Sequence, residues 1–275
     1  MADQGDPLAR IADALERIAG PPPVDVDWRT APAYVWDGAT GRAIETFASV
    51  RLDLLRGVDA QRDAVAANVS RLARGYAAHD MLLWGARGMG KSALVRAAVA
   101  AAQKEAGDAL ALVQAGTDAL DTLPRLFAEL ARVRRAFLVF IDDLGFSDDD
   151  SVGPRHLRSW LEGGVEARPA NVRLAVTSNR RAIVARQASE QDDPINPRDA
   201  VDDKLALADR FGLALGFHNC GQEDYLAIVA GYADEYGLAW DERDALEWSR
   251  RRGARSGRTA WQYVVELAGR AGRAL

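Results

Sequence analysis

The chain has 275 residues, enough to bury a core without disulfide or metal staples, and its 48% hydrophobic and 27% charged content is that of a globular protein. A formal net charge of −5 excludes a protein that coats nucleic acid by bulk positive charge. The single cysteine, Cys220, excludes an internal disulfide, the first residues carry no secretory signal, and no apolar run approaches the ~20 residues of a membrane span. A cytoplasmic compartment and no membrane contact are the expectations that follow.

Along the chain, Leu8, Ile11, Leu15 and Ile18 fall on one helical face, predicting a short amphipathic helix within residues 1–20. Its polar face is balanced (Arg10, Asp13, Glu16, Arg17), which suits a partner, a second copy or its own domain better than an anionic membrane. Pro21-Pro22-Pro23 opens a linker and extension over 21–57, where aromatics and turn residues mix without an assignable pattern. A helix is expected from Val58 to Arg74. Strands and helices then alternate. Strands are expected at Met81–Trp84, Ala109–Gln114, Ala136–Ile141, Val172–Thr177 and Leu213–Phe217, with helices at Ser92–Ala106, Leu120–Val133 and Pro154–Leu161. The predicted class is α/β, a parallel sheet covered on both sides, spanning 58–218. Three helices (Glu223–Tyr236, Asp241–Arg252, Arg258–Arg270) form a helical lid over 219–275. The acidic stretches at 148–150 and 192–193 read as solvated loops.

The stretch Gly85-Ala86-Arg87-Gly88-Met89-Gly90-Lys91-Ser92 has the spacing of a P-loop, with a strand before it and a helix after it. Glycines let the backbone curl so that successive N–H groups face phosphate oxygens, and the helix beginning near Lys91 aims its positive end at the same place. Only three of the 35 basic residues are lysines, yet one of them, Lys91, stands inside this loop. A compact ammonium suits a phosphate cradle in a way that a guanidinium does not. ATP and Mg²⁺ are the expected ligands, with Lys91 on the β/γ oxygens and Ser92 on the metal. The strand ending in Asp142-Asp143, expected to neighbour the loop strand, supplies Asp142 to the metal and Asp143 to the attacking water. A turn or helix-capping pair is the plainer alternative for these two aspartates.

Further polar clusters follow at Thr177-Ser178-Asn179-Arg180-Arg181, Asp209-Arg210-Phe211-Gly212 and Ser256-Gly257-Arg258-Thr259. Together with the loop and the acidic strand end, they resemble the AAA+ superfamily: a polar sensor, an arginine finger and a second sensor arginine in a lid. More narrowly, the stretch from Val58 to Arg273 is similar to a bacterial family of predicted AAA+ ATPases of unknown function. That resemblance rests also on Leu82-Leu83-Trp84 before the loop, Leu207-Ala208 before Asp209, and Gln222-Glu223-Asp224-Tyr225-Leu226. It implies that Asn179 faces the γ-phosphate or the attacking water, that Arg210 reaches a neighbouring subunit's nucleotide, and that Arg258 contacts phosphates from its own lid. A turn residue, a packing arginine and a surface arginine are the respective alternatives. The sequence departs from many AAA+ motors at Asp143, which stands one methylene short of the usual glutamate; slower hydrolysis or a bridging water would follow.

An arginine finger requires a homo-oligomer, a ring or open helix. Two functions remain open. One is an ATPase that remodels or loads a macromolecular partner, and the other is an ATP-dependent assembly switch with slow turnover. A small-molecule kinase would leave Arg210 and Arg258 without a purpose. The lid's Arg250, Arg251, Arg252, Arg255, Arg258, Arg270 and Arg273 suit a solvated face or an acidic neighbour better than nucleic acid.

Overall fold

The computed structural model describes residues 26–145, 157, 161, 168–179 and 209–275. The expected N-terminal helix, the proline stretch, the acidic stretches at 148–150 and 192–193, and Arg180 and Arg181 lie outside them.

Seven strands form one sheet: β1 (Ala33–Trp36), β2 (Gly41–Ile44), β3 (Met81–Gly85), β4 (Leu110–Ala115), β5 (Ala136–Ile141), β6 (Val172–Ser178) and β7 (Leu213–Phe217). Their spatial order is β2-β1-β4-β5-β6-β3-β7, parallel throughout except for the β1–β2 hairpin at one edge. Each parallel strand reads as a continuous apolar run because its alternate side chains enter two different cores. Leu138 and Phe140 of β5 join one cluster, and Phe137, Val139 and Ile141 join the other. The first core is roofed by α1 (Asp59–Ala73) and α2 (Lys91–Ala106), the second by α3 (Leu123–Leu130) with Leu157 packed beside it. Leu157 and Leu161 are both helical, within the span expected at Pro154–Leu161.

The hairpin corrects the expected boundary at residue 58. Residues 33–44, placed by sequence in an extension, belong to the main sheet, with β1 pairing parallel to β4 (Ala33 opposite Leu112). Tyr34 and Trp36 are fully buried, and the Trp36 indole N–H donates to Thr122 Oγ1 at 2.8 Å. The turn closes on Asp37, whose carboxylate accepts from the N–H groups of Ala39 and Thr40 at 2.8 and 2.7 Å. The helix expected over Leu120–Val133 is also shorter. Residues Thr117–Thr122 form a 3₁₀ turn and α3 starts around Pro124, which cannot donate inside a helix. At its other end the Asn171 side-chain amide donates to the carbonyls of Leu130, Val133 and Arg135, ending the helix.

The lid comprises α4 (Gln222–Glu235), α5 (Glu242–Arg251) and α6 (Gly257–Arg270). Asp241 and Ser256 cap the last two, accepting from the N–H groups of Asp244 and Thr259 at 2.9 and 3.2 Å. Among the described residues no helix is long and apolar enough to cross a membrane.

Candidate functional site

The glycine loop runs from the end of β3 into α2. Gly85 closes β3 at φ +119, and a Cβ there would stand 2.1 Å from the Phe217 carbonyl oxygen of β7. Only glycine fits, so the loop leaves the sheet at this residue. Ala86 N–H then donates to that same carbonyl at 2.7 Å, fixing the loop's first step.

Lys91 opens α2 and is 7% exposed. Its ammonium donates to the Gly85 and Ala86 carbonyls at 2.9 Å each and to Asn179 Oδ1 at 3.4 Å, which uses all three of its donors. Burial pulls its pKa below the usual lysine value, and the nearby carboxylates of Asp143 and Asp142 oppose that shift. A buried cation held mainly by neutral carbonyls is poised to exchange them for anionic oxygens.

Ser92 Oγ donates to Asp142 Oδ1 at 2.6 Å. The expectation that the strand of Asp142 adjoins the loop strand is corrected here: β6 lies between β3 and β5. The pair still meets across the carboxyl end of β6, where Lys91 also reaches Asn179 just beyond that strand. Thr177, at the end of that intervening strand, donates its hydroxyl to the same Asp142 Oδ1. Its Oγ1 accepts the Asp143 N–H at 2.8 Å, and its carbonyl accepts the Leu144 N–H at 2.7 Å. Asp143 has φ +54 and is the one non-glycine residue with positive φ among those described. Its Oδ1 accepts from the Asn179 amide, so Asn179 links Asp143 to Lys91.

The lid closes the site from the other side. The Arg258 N–H donates to the Gly88 carbonyl at 3.0 Å, and Ser256 abuts the loop so tightly that a Cβ on Gly88 (φ +75) would lie 2.9 Å from Ser256 Oγ. Between core and lid is a cavity of about 640 Å³. One end is polar, lined by the loop from Arg87 to Ser92 with Arg96, Arg258, Asp142, Asp143, Thr177 and Asn179, while Arg56 lies against Gly231 of α4. Four cations at this end (Arg87, Lys91, Arg96 and Arg258) against two carboxylates suit a polyanion. The other end is apolar, lined by Val50, Leu54, Leu55 and Val58 from the segment before α1, and by Ile228, Tyr232 and Trp261 from the lid. Tyr232 and Trp261 pack edge to face with ring centroids 5.2 Å apart.

Of the residues singled out by sequence, Gly88 through Ser92, Arg87, Asp142, Asp143, Asn179 and Arg258 line this one cavity, with Gly85 and Ala86 behind it. Arg210 does not line it. It precedes β7, whose Leu213 pairs with Met81 at the end of β3 away from the loop. The apolar wall, Arg96 and Thr177's double contact escaped the sequence reading. Spacing held a signal for two of these: Arg96 lies four residues after Ser92 and Trp261 three after Arg258, each pair on one helical face.

Ser92 and Asp142 supply hard oxygen donors of the kind Mg²⁺ takes. Among the described residues no group of three or more His, Cys, Asp or Glu side chains could hold a metal alone. Magnesium would be held here by two side chains together with the phosphates it accompanies, and the residues present fit that arrangement.

The sheet order, the glycine loop facing an acidic strand end, and the three-helix lid define an AAA+ fold. The chain superposes on a single-residue variant of Thermotoga maritima RuvB with a TM-score of 0.54 and 17% identity, covering 81% of this chain and 66% of that one. It superposes on Aeropyrum pernix ORC1, in a structure determined in complex with DNA, with a TM-score of 0.53 and 17% identity (80% and 65% covered). Domain III of the Thermotoga maritima replication initiation protein DnaA gives 0.53 and 13% identity, with 82% and 91% covered. At such identities the likeness is one of fold, and the chain spans about two thirds of the RuvB and ORC1 chains. No curated protein matches the sequence. Over residues 29–271 the sequence matches the family described as "Protein of unknown function (DUF815)", and the chain belongs to that family. The match begins well before Val58 and takes in the hairpin, in keeping with its place in the sheet.

Proposed function

We propose that this chain binds ATP with Mg²⁺ in the cavity between core and lid, hydrolyses it, and uses the cycle to remodel or load a macromolecular partner in the cytoplasm. The observation that carries the reading is the meeting of Ser92 and Asp142 at 2.6 Å beside the buried Lys91 ammonium, at the mouth of a glycine loop. Two segments fifty residues apart converge there on chemistry suited to a metal-bound triphosphate.

In this reading the purine enters the apolar end against Leu55, Ile228 and Trp261, and the triphosphate lies along the loop amides. Lys91 exchanges the Gly85 and Ala86 carbonyls for β/γ oxygens. Arg258 approaches the phosphates from the lid. Asp143 accepts a hydrogen bond from the attacking water, and Asn179 holds that carboxylate in place. When bound, Mg²⁺ neutralises charge developing on the phosphoryl oxygens. Arg210 acts on the nucleotide of an adjacent copy in a ring or open helix, a finger contribution of about 10³–10⁵ in rate.

A second reading, an ATP-dependent assembly switch with slow turnover, is favoured by one observation. The Asp143 side chain is a methylene shorter than glutamate and one of its two oxygens is already engaged by Asn179, which weakens its hold on an attacking water. Nucleotide titration and turnover separate the outcomes. Wild-type protein should bind a fluorescent ATP analogue with Mg²⁺. Lys91→Ala should cost about 1.5–3 kcal/mol, roughly ten- to a hundredfold in Kd. The Asp142→Ala/Asp143→Ala double variant should lose turnover. Folded wild-type protein without affinity for any purine triphosphate would sink the reading, and binding with negligible turnover would favour the switch. Proteins or nucleic acids that co-isolate with ATP-loaded wild type but not with Lys91→Ala identify the partner.

A further inference from the structure

Thr177 is 1% exposed and sits on β6, the strand interposed between the loop strand and the acidic strand. A single hydroxyl there makes two contacts of different kinds. As a donor it shares Asp142 Oδ1 with Ser92, so both hydroxyls load one carboxylate oxygen and neither occupies Oδ2 of a residue that lines the cavity. As an acceptor it takes the Asp143 N–H at 2.8 Å, at a residue whose φ of +54 lies in the left-handed region that side chains other than glycine seldom enter. The Leu144 N–H, bound to the Thr177 carbonyl at 2.7 Å, fastens the next step of the same turn.

The geometry points to Thr177 as the positioning residue of the acidic strand end. Its hydroxyl sets the carboxylate angle of Asp142 and holds the backbone turn that presents Asp143. With its hydroxyl committed to these contacts, Thr177 acts through the two aspartates. Hydroxyl chemistry is required, because the group must donate to a carboxylate and accept from an amide at once. Valine keeps the shape and loses both contacts, whereas serine keeps both. The role deepens the ATPase reading and rests on it, since it matters to catalysis only if Asp142 and Asp143 serve a metal-bound triphosphate.

The test compares Thr177→Val, Thr177→Ser and wild type with a fluorescent ATP analogue, titrating Mg²⁺ and Mn²⁺, the latter also by its electron paramagnetic resonance signal. Thr177→Val should raise the metal concentration at half-saturation of the nucleotide-bound protein at least tenfold and slow turnover by a similar factor. Affinity for the analogue in EDTA should stay within twofold of wild type, and Thr177→Ser should restore the metal midpoint. An unchanged midpoint in Thr177→Val, a serine variant as defective as valine, or an equal fall of affinity in EDTA would each overturn the proposal. Hydrogen exchange of the Asp143 amide needs no nucleotide. It should be protected in wild type and Thr177→Ser and lose protection in Thr177→Val; retained protection in Thr177→Val refutes the clamp. A wild-type protein that binds no nucleotide while the amide follows this pattern would refute the ATPase reading and leave the clamp standing.

Discussion

Two side chains near the site carry protonation equilibria moved by burial, and they differ in consequence. Burial lowers the Lys91 pKa, while the Gly85 and Ala86 carbonyls take the hydrogen bonds that its ammonium would otherwise give to water. Cys220, between β7 and α4, is pushed up to about 11 from 9.0, first by burial and then by the Asp224 carboxylate. Its thiol makes only a weak donor contact to the Gly221 carbonyl. The folded state therefore holds this proton over a range where the unfolded chain has released it. The resulting stability is complete below pH 9 and declines as pH rises from 9 through 11. Cys220→Ala should flatten the decline in denaturant midpoints measured across that window. For the same reason the folded thiol should resist alkylation at pH 8, and a rate equal to that of a free thiol would contradict this environment.

At the level of elements, the lid and the loop meet backbone to backbone. The first turn of α6 places the Arg258 N–H on the Gly88 carbonyl, and a Cβ on Gly257 would come within 3.2 Å of that oxygen. Contact this close couples the loop's shape to the lid's position, so anything that straightens the loop must also lift α6. Gly88→Ala offers a measure of the coupling. The positive φ of Gly88 alone should cost about 1–3 kcal/mol of stability. The added methyl also pushes on Ser256, so nucleotide affinity should fall further. Adding Ser256→Ala to Gly88→Ala should recover part of the affinity without removing the backbone strain. Equal affinity in the single and double variants would mean that the lid does not feel the loop.

At the scale of the whole molecule, Arg210 raises the question of assembly. It stands before β7, at the end of the sheet remote from the glycine loop, with Phe211 beside it buried in the core behind β3 and β6. A chain folded in this way does not bring its Arg210 into its own cavity. Action on a second copy predicts that turnover per subunit rises with protein concentration. It also predicts complementation. If Arg210 serves as the proposed finger and Lys91 as the proposed phosphate ligand, Arg210→Ala and Lys91→Ala should each be slowed by about 10³ or more. Mixed subunits should regain turnover, because sites with an intact loop then face an intact Arg210. A mixture no faster than its components would confine catalysis to single chains and remove the argument for a ring.

Much of this arrangement is legible in the order of residues because local rules write it. The glycine spacing marks the loop, the continuous apolar runs mark parallel strands covered on both faces, and capping residues such as Asp241 and Ser256 mark the helix starts. The hairpin left only a partial trace: Asp37-Gly38 after Tyr34–Trp36 is a turn signal, but strands of four residues on either side are too short to show a period. Other features are set by strand order and not by neighbours in sequence. Which strand lies between β3 and β5 decides that Thr177, which the sequence shows only as the start of a polar cluster, holds both aspartates. The apolar wall joins Leu54 and Leu55 to Tyr232 and Trp261, some two hundred residues apart, only once the lid folds back over the sheet. Periodicity and turn chemistry act over a few residues, whereas a site between layers depends on how whole elements stack. The glycine loop was therefore readable in one dimension, and the Thr177 contacts and the apolar wall were decided in three.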